Sequence, residues 1–246
     1  ATRGVTRLVF VGSMATSNKL HLLTGGIGLG MRQLSKYSKL YANKPTYVQP
    51  FTLAAVASPR AMYPDYHKVY KESQNYDEIH LHTLSGSCHF VVNLVEQYPD
   101  LKAKISSAVF DSPCHIQGIP AALKHLKGVP EGITRPLIST VFRGAITTSD
   151  TFVREALLPG VPTGVIYSDR DKVAPVTMIE QMLESWAEGD APASVLRMKT
   201  NSEHLLTMRD QPEDYEKFVE SVMAMAKKPA PKTVDEAEGV AIPLVA

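Results

Sequence analysis

Cysteine is scarce in this chain of 246 residues, with Cys88 and Cys114 the only two. Two thiols cannot make a disulfide framework, and they leave no cysteine pairs for a structural zinc site. The count suits a reducing compartment. An excess of charge of either sign is lacking too. The 26 Lys and Arg nearly cancel the 25 Asp and Glu, leaving a formal net charge of +1. That balance gives no electrostatic case for nucleic acid or an anionic membrane surface. No apolar run approaches the roughly 20 residues that a membrane-spanning helix requires. What is present is ordinary for a globular protein: 44% hydrophobic and 21% charged residues. One domain of this length buries a full core. The opening Ala1-Thr2-Arg3-Gly4 fits what remains after a transit peptide is removed. An intracellular, mitochondrial setting is the expectation from it.

Apolar runs and amphipathic stretches alternate along the chain. Residues 6–12 (TRLVFVG) read as a buried strand, followed by a Gly-rich stretch at 22–30. From Met31, residues 31, 34, 37, 40 and 41 share one helical face. Strands are expected at 46–52, 77–84, 105–111, 162–168 and 193–199. Helices are expected at 64–76, at 88–97 up to Pro99, at 176–188 and at 211–227, the last with Pro212 in its first turn. Residues 112–160 hold short helical pieces broken by Gly and Pro. Such alternation predicts a mostly parallel sheet with helices on both faces. The body is placed at 1–227, with a small helical lid at about 116–158. The Pro- and Ala-rich segment 228–246 is an extended tail that does not fold alone.

Chemistry concentrates in EIHLHTLSGSCHFVVNLVEQ. A β-run stops at Leu84, three small residues follow (Ser85, Gly86, Ser87), and a helix begins at once. This is the setting of a nucleophile elbow, a turn tight enough to lift a serine hydroxyl above the sheet. The helix start supplies backbone N–H groups to a developing oxyanion. Thr83 and Ser87 occupy the flanking places where glycine is usual. Asp171, in YSDRDKVAP, follows a strand and can orient an imidazole. His204, in TNSEHLLTM, follows the last strand and can reach over the sheet to Ser85. The order Ser, Asp, His is that of the α/β-hydrolases. Asp111, ending the strand 105–111, is the alternative acid. For the oxyanion hole, one N–H is assigned to Gly86 and the other to Ser13, in the loop after 6–12. The string GGIGLG lacks the third glycine and the GK[ST] of nucleotide loops, so it is read as a flexible or close-packed loop. His80, His82 and His89 have no carboxylate or cysteine at ligand spacing. Cys88 is read as a buried thiol.

Beyond the triad, VFVGSM, LSKYSKLY, HLHTLSGS, AVFDSP, YSDRDKVAP, SEH and PEDY occur in order between about residues 7 and 226. In these strings the chain resembles a eukaryotic α/β-hydrolase family of unknown function that includes transmembrane protein fifty-three. The resemblance implies that fold, with Ser85, Asp171 and His204 as its triad, and brings no particular substrate. Ser87 stands where the family usually has Gly, Ser13 where it often has Trp, and 18–30 reads as an insertion. Two functions are carried forward. One is ester or thioester hydrolysis on a small acyl or lipid-like substrate, with no cofactor and no metal. The other is a catalytically idle accessory subunit of a larger, mitochondrial assembly, its apolar end VAIPLV (240–245) docked on a partner.

Overall fold

A computed structural model of the chain describes residues 18–26, 29–51, 62–115, 118–120, 123–124, 128–141, 143–154, 158–188 and 195–226. Six strands make one sheet: β1 (Lys19–Thr24), β2 (Thr46–Gln49), β3 (Glu78–Leu84), β4 (Ile105–Asp111), β5 (Thr163–Ser168) and β6 (Val195–Thr200). Their order is β2-β1-β3-β4-β5-β6, and every neighbouring pair is parallel. The helices are α1 (Met31–Ser38), α2 (Tyr63–Ser73), α3 (Cys88–Gln97), α4 (Pro99–Lys104), α5 (Glu131–Val141), α6 (Arg143–Arg154), α7 (Val176–Glu188), α8 (Thr207–Asp210) and α9 (Pro212–Ala224). Connections run outward from β1 to β2, then return to β3 on the other side of β1. The carboxyl ends of β1 and β3 therefore flank a topological switch point, where open parallel sheets hold their sites.

The structure has a strand that the sequence reading did not expect. Residues 6–12, Ser13 and the tail 228–246 lie outside the described residues. The strand between β2 and β3 is Lys19–Thr24, inside the segment that looked like an insertion. Its sequence KLHLLT has no β-branched residue before Thr24 and contains Lys19 and His21, so its propensity is weak. Burial compensates: Leu20, Leu22 and Leu23 are almost wholly enclosed. His21 is buried as well, with Nδ1 in contact with the Pro45 carbonyl at 3.1 Å and its ring centroid 4.7 Å from that of Tyr41. A second difference is α4. Pro99 ends α3 as expected, but it also starts a new helix at a position where its missing N–H costs nothing.

Each face of the sheet buries its own core. Tyr66, Phe90, Phe110, Phe152 and Trp186 belong to the cluster under α2, α3, α6 and α7, and the Trp186 indole donates to the Phe152 carbonyl at 3.1 Å. The opposite face packs Leu34, Tyr37 and Tyr41 of the α1 region and Tyr215, Val219 and Val222 of α9 against Leu23, Leu84, Val109 and Ile166. Alternation along β3 turns Ile79 and Leu81 to the first core and His80 and His82 to the second. Both histidines are fully buried. His80 meets Ser107 at 2.7 Å and Tyr41 at 3.2 Å, while His82 meets Tyr41 at 2.7 Å and Tyr215 at 2.9 Å.

Burial holds these rings neutral. It lowers His21 from 6.5 to about 4, His82 to about 3 and His89 to about 4, and takes His80 well below its ordinary value. The unfolded chain thus binds more protons than the folded one below 6.5, and stability is lost as pH falls through that window. Asp111 acts in the opposite sense. Burial raises it from 3.8 to about 6, so its contribution declines as pH rises from 3.8 toward 6. Four rings outweigh one carboxyl. The melting temperature is expected to fall steadily as pH is lowered from 6.5 toward 4. A melting temperature that holds or rises over that range would show that the rings are not buried neutral.

Candidate active site

Ser85 follows β3 directly, opening a short 3-10 turn (Ser85–Ser87) that leads into α3. Its φ of 55° is in the left-handed region, which L-residues enter at a cost. The surroundings fix it there. Thr83 and Ser87 are fully buried. The Ser87 hydroxyl accepts from the Leu84 N–H at 3.1 Å and lies 2.9 Å from the Thr24 hydroxyl and 3.0 Å from the Thr24 carbonyl. The serine that replaces the usual glycine thus ties the elbow to the end of β1. On that side Gly26 closes the contact. A Cβ there would stand 2.8 Å from Ser85 Cβ and 3.0 Å from the Leu84 carbonyl oxygen. The Gly25-Gly26 pair of the GGIGLG stretch is therefore a close-packed loop against the elbow.

Asp171 and His204 meet Ser85 from the ends of β5 and β6. His204 Nδ1 donates to Asp171 Oδ2 at 2.7 Å, and its Nε2 lies 2.8 Å from Ser85 Oγ. The carboxylate fixes the tautomer, since a ring proton on Nδ1 leaves Nε2 free to accept from the serine. Asp171 Oδ1 is held by the backbone N–H groups of Val173 and Ala174, both at 2.8 Å. The His204 loop is anchored as well. Leu205, the next residue, has φ 58°, and its carbonyl accepts from Tyr37 Oη of α1 at 2.9 Å.

Asp111, the alternative acid, has no hydrogen bond to His204. Its carboxylate accepts from Tyr215 at 2.8 Å and from Ser112 at 3.0 Å. Gly86, first of the assigned oxyanion donors, follows Ser85 in the 3-10 turn. Ser13 lies outside the described residues, and the loop that follows the strand beside β3 is that of Gly25 and Gly26. Sequence reading missed Thr24, Gly26 and Cys114. The Cys114 thiol sits 3.4 Å from Ser85 Oγ, and burial pushes it up to about 11. Cys88 is likewise a buried, neutral thiol. Among the described residues no group of His, Cys, Asp and Glu is placed to hold a metal ion, and no helix is long and apolar enough to cross a membrane.

A cleft of about 500 Å³ opens beside His204, lined by Arg170, Lys172, Val173, Glu203 and Leu206 among others. The helices α5 and α6, in the segment expected as a lid, connect β4 to β5. His115, just past β4, bonds Asp150 of α6 at 2.9 Å.

No family model and no curated protein matches the chain. Solved structures do. The Pyrococcus furiosus esterase Pf2001 superposes with a TM-score of 0.58 at 13% identity, over 85% of this chain and 82% of its own. MGS-M2, an α/β hydrolase from a Medee basin deep-sea metagenome library, superposes with a TM-score of 0.56 at 13% identity, over 89% and 94%. The chain has an α/β-hydrolase fold. A monoacylglycerol lipase from Paleococcus ferrophilus also shares the hydrolase fold, with a TM-score of 0.56 and 13% identity over 83% of this chain and 94% of that one. At such identities the likeness is one of architecture. Within the hydrolase fold, Ser85 stands on the strand-to-helix turn at the switch point, and Asp171 and His204 follow the next strands but one and two.

Proposed function

We propose that the protein is a serine hydrolase acting on a carboxylic ester or thioester. One observation carries this reading: Ser85, in a left-handed turn, lies 2.8 Å from His204 Nε2, whose Nδ1 is held by Asp171 at 2.7 Å. Ser85 Oγ attacks the acyl carbonyl while His204 takes its proton. The charged ring is stabilised by Asp171 and returns the proton to the departing alcohol or thiol. Water then repeats the sequence on the acyl-enzyme. The Gly86 N–H, at the start of the 3-10 turn and α3, faces the developing oxyanion together with the Gly25-Gly26 loop. No step calls for a cofactor. Esterases and a lipase among proteins of the same fold support an ester as the substrate class.

The test is covalent. A fluorophosphonate probe applied to the native protein should label a single residue, Ser85, found by peptide mass mapping. Labelling should vanish after thermal unfolding, because a serine without its histidine is a weak nucleophile. Native protein left unlabelled over pH 6–9 would sink the hydrolase reading and leave only the fold.

A further inference from the structure

Ser87, two residues past the nucleophile, does more than fill the place of a glycine. Its hydroxyl has two lone pairs and one proton. The Leu84 N–H fills one lone pair at 3.1 Å, and the Thr24 hydroxyl, 2.9 Å away, is placed to donate to the other. The proton of Ser87 goes to the carbonyl of Thr24 at 3.0 Å or of Leu84 at 2.9 Å. Either choice leaves at least one bond that joins the elbow to β1 across 63 positions of sequence. Both side chains are fully buried. Each hydroxyl would be costly there without the other, and a glycine in place of Ser87 would supply none of these bonds.

Thr24 is where β1 ends. It is the register partner of Gln49 in β2 and of Thr83 in β3. Gly25 is still tied to the sheet, its N–H donating to the Gln49 carbonyl at 2.8 Å, and a Cβ on it would stand 2.7 Å from Leu34 Cδ1 of α1. Gly26 is the first residue to leave the sheet, and it lies against Ser85 so closely that a Cβ would stand 2.8 Å from that of the serine. The loop is therefore held by β2, by α1 and by the elbow. Among the described residues, the side-chain hydrogen bonds that cross from the end of β1 to the elbow are those between Thr24 and Ser87.

We propose that Ser87 is a positioning residue: with Thr24 it sets the spacing between the elbow and the Gly25-Gly26 loop, and so the width of the gap in which the oxyanion forms. The inference rests on the hydrolase reading, in which the Gly86 N–H and that loop face the oxyanion. Both hydroxyls are sealed from solvent, so neither touches the substrate. Their part is to keep the donors where the tetrahedral oxygen needs them, a geometry that counts in the transition state and little in the ground state. Serine at this place therefore favours turnover, and restoring the usual glycine lowers it.

The experiment compares Ser87→Gly, Ser87→Ala, Thr24→Val and Thr24→Ser with wild type in the full chain. It reads fluorophosphonate labelling of Ser85, kcat and KM on a short-chain ester, and inhibition by a trifluoromethyl ketone. Ser85 adds to that ketone and leaves an oxyanion in the same gap, so its affinity follows transition-state geometry. Labelling and kcat should fall roughly five- to twentyfold in Ser87→Gly, Ser87→Ala and Thr24→Val, because the donors remain and only their spacing drifts. That is short of the roughly 10²–10³-fold loss of an oxyanion donor outright. The ketone should weaken by about the same factor as kcat, with KM within about twofold of wild type. Thr24→Ser keeps the hydroxyl and should recover most of the loss. The Ser87→Ala, Thr24→Val double variant should be about as slow as the slower single one, since both remove the same tie. If the Ser87 variants do not fold, Thr24→Val and Thr24→Ser carry the test. Lower melting temperatures with labelling, kcat and ketone affinity unchanged would overturn the proposal, leave the pair a packing tie and spare the hydrolase reading. Wild-type protein that is never labelled would sink the hydrolase reading and this inference with it.

Discussion

Asp171→Asn lowers turnover of an ester substrate by roughly 10³–10⁴-fold while leaving the fold intact. The orientation of the new amide is dictated by the backbone. Asp171 Oδ1 accepts from the Val173 and Ala174 N–H groups, so the asparagine oxygen must stay with those donors. Its NH2 group is then forced toward His204 Nδ1, where it can only donate. The ring must answer with a bare Nδ1 and its proton on Nε2, and a protonated Nε2 cannot accept from Ser85. The loss is therefore one of tautomer, beyond the loss of charge. Asp111→Asn unsettles the donors Tyr215 and Ser112 but leaves the His204 tautomer in place, and costs turnover far less. Steady-state kcat for both variants, with circular dichroism to confirm folding, checks the assignment. A large loss in Asp111→Asn beside a small one in Asp171→Asn would exchange the roles of the two acids.

Gly26→Ala is expected to slow acylation of Ser85 by roughly a hundredfold, the scale on which a displacement near 1 Å tells in an active site. The added carbon would meet Ser85 Cβ at 2.8 Å and the Leu84 carbonyl oxygen at 3.0 Å. Neither is the free end of a flexible side chain, so the elbow or the loop must shift, and Ser85 with it. Gly30→Ala is the control. Its Cβ would meet only Gln33 Oε1 at 3.1 Å, an atom that can swing aside, and its labelling rate should stay within about twofold of wild type. Equal rates in the two variants would mean that the loop after β1 does not bear on the nucleophile.

The parts of the fold legible in the sequence are those where local signals agree. The run at 77–84 alternates Ile79 and Leu81 with His80 and His82, the turn is small and the next ten residues are helical, and the structure has β3 at Glu78–Leu84 and α3 at Cys88–Gln97. Asp171 and His204 could be picked out because each follows a short strand directly. The strand beside β3 was harder because KLHLLT has little β-propensity of its own and draws its stability from neighbours far along the chain. A proline was read as an end when it also served as a beginning at Pro99. The chain of tyrosines and histidines left no pattern to find. His82 and Tyr215 are 133 residues apart and Tyr215 and Asp111 are 104 apart, and only the topology brings them together. A heptad or a strand alternation records the burial of a histidine, never the identity of its partner.

The bond from Tyr37 to the Leu205 carbonyl spans 168 positions, and that from His204 to Ser85 spans 119. Both need the last strand, and the ring cluster under them needs Tyr215 from the last helix. Contacts so distant in sequence form late, since the loops they close must first be paid for in chain entropy. A ribosome-bound chain that has emerged only through α7 has its elbow, Ser85 and Asp171, yet lacks His204 and the ring that bonds Asp111. On the proposed chemistry, reactivity at Ser85 is thus withheld until the segment after β6 has emerged and brought His204 to the elbow.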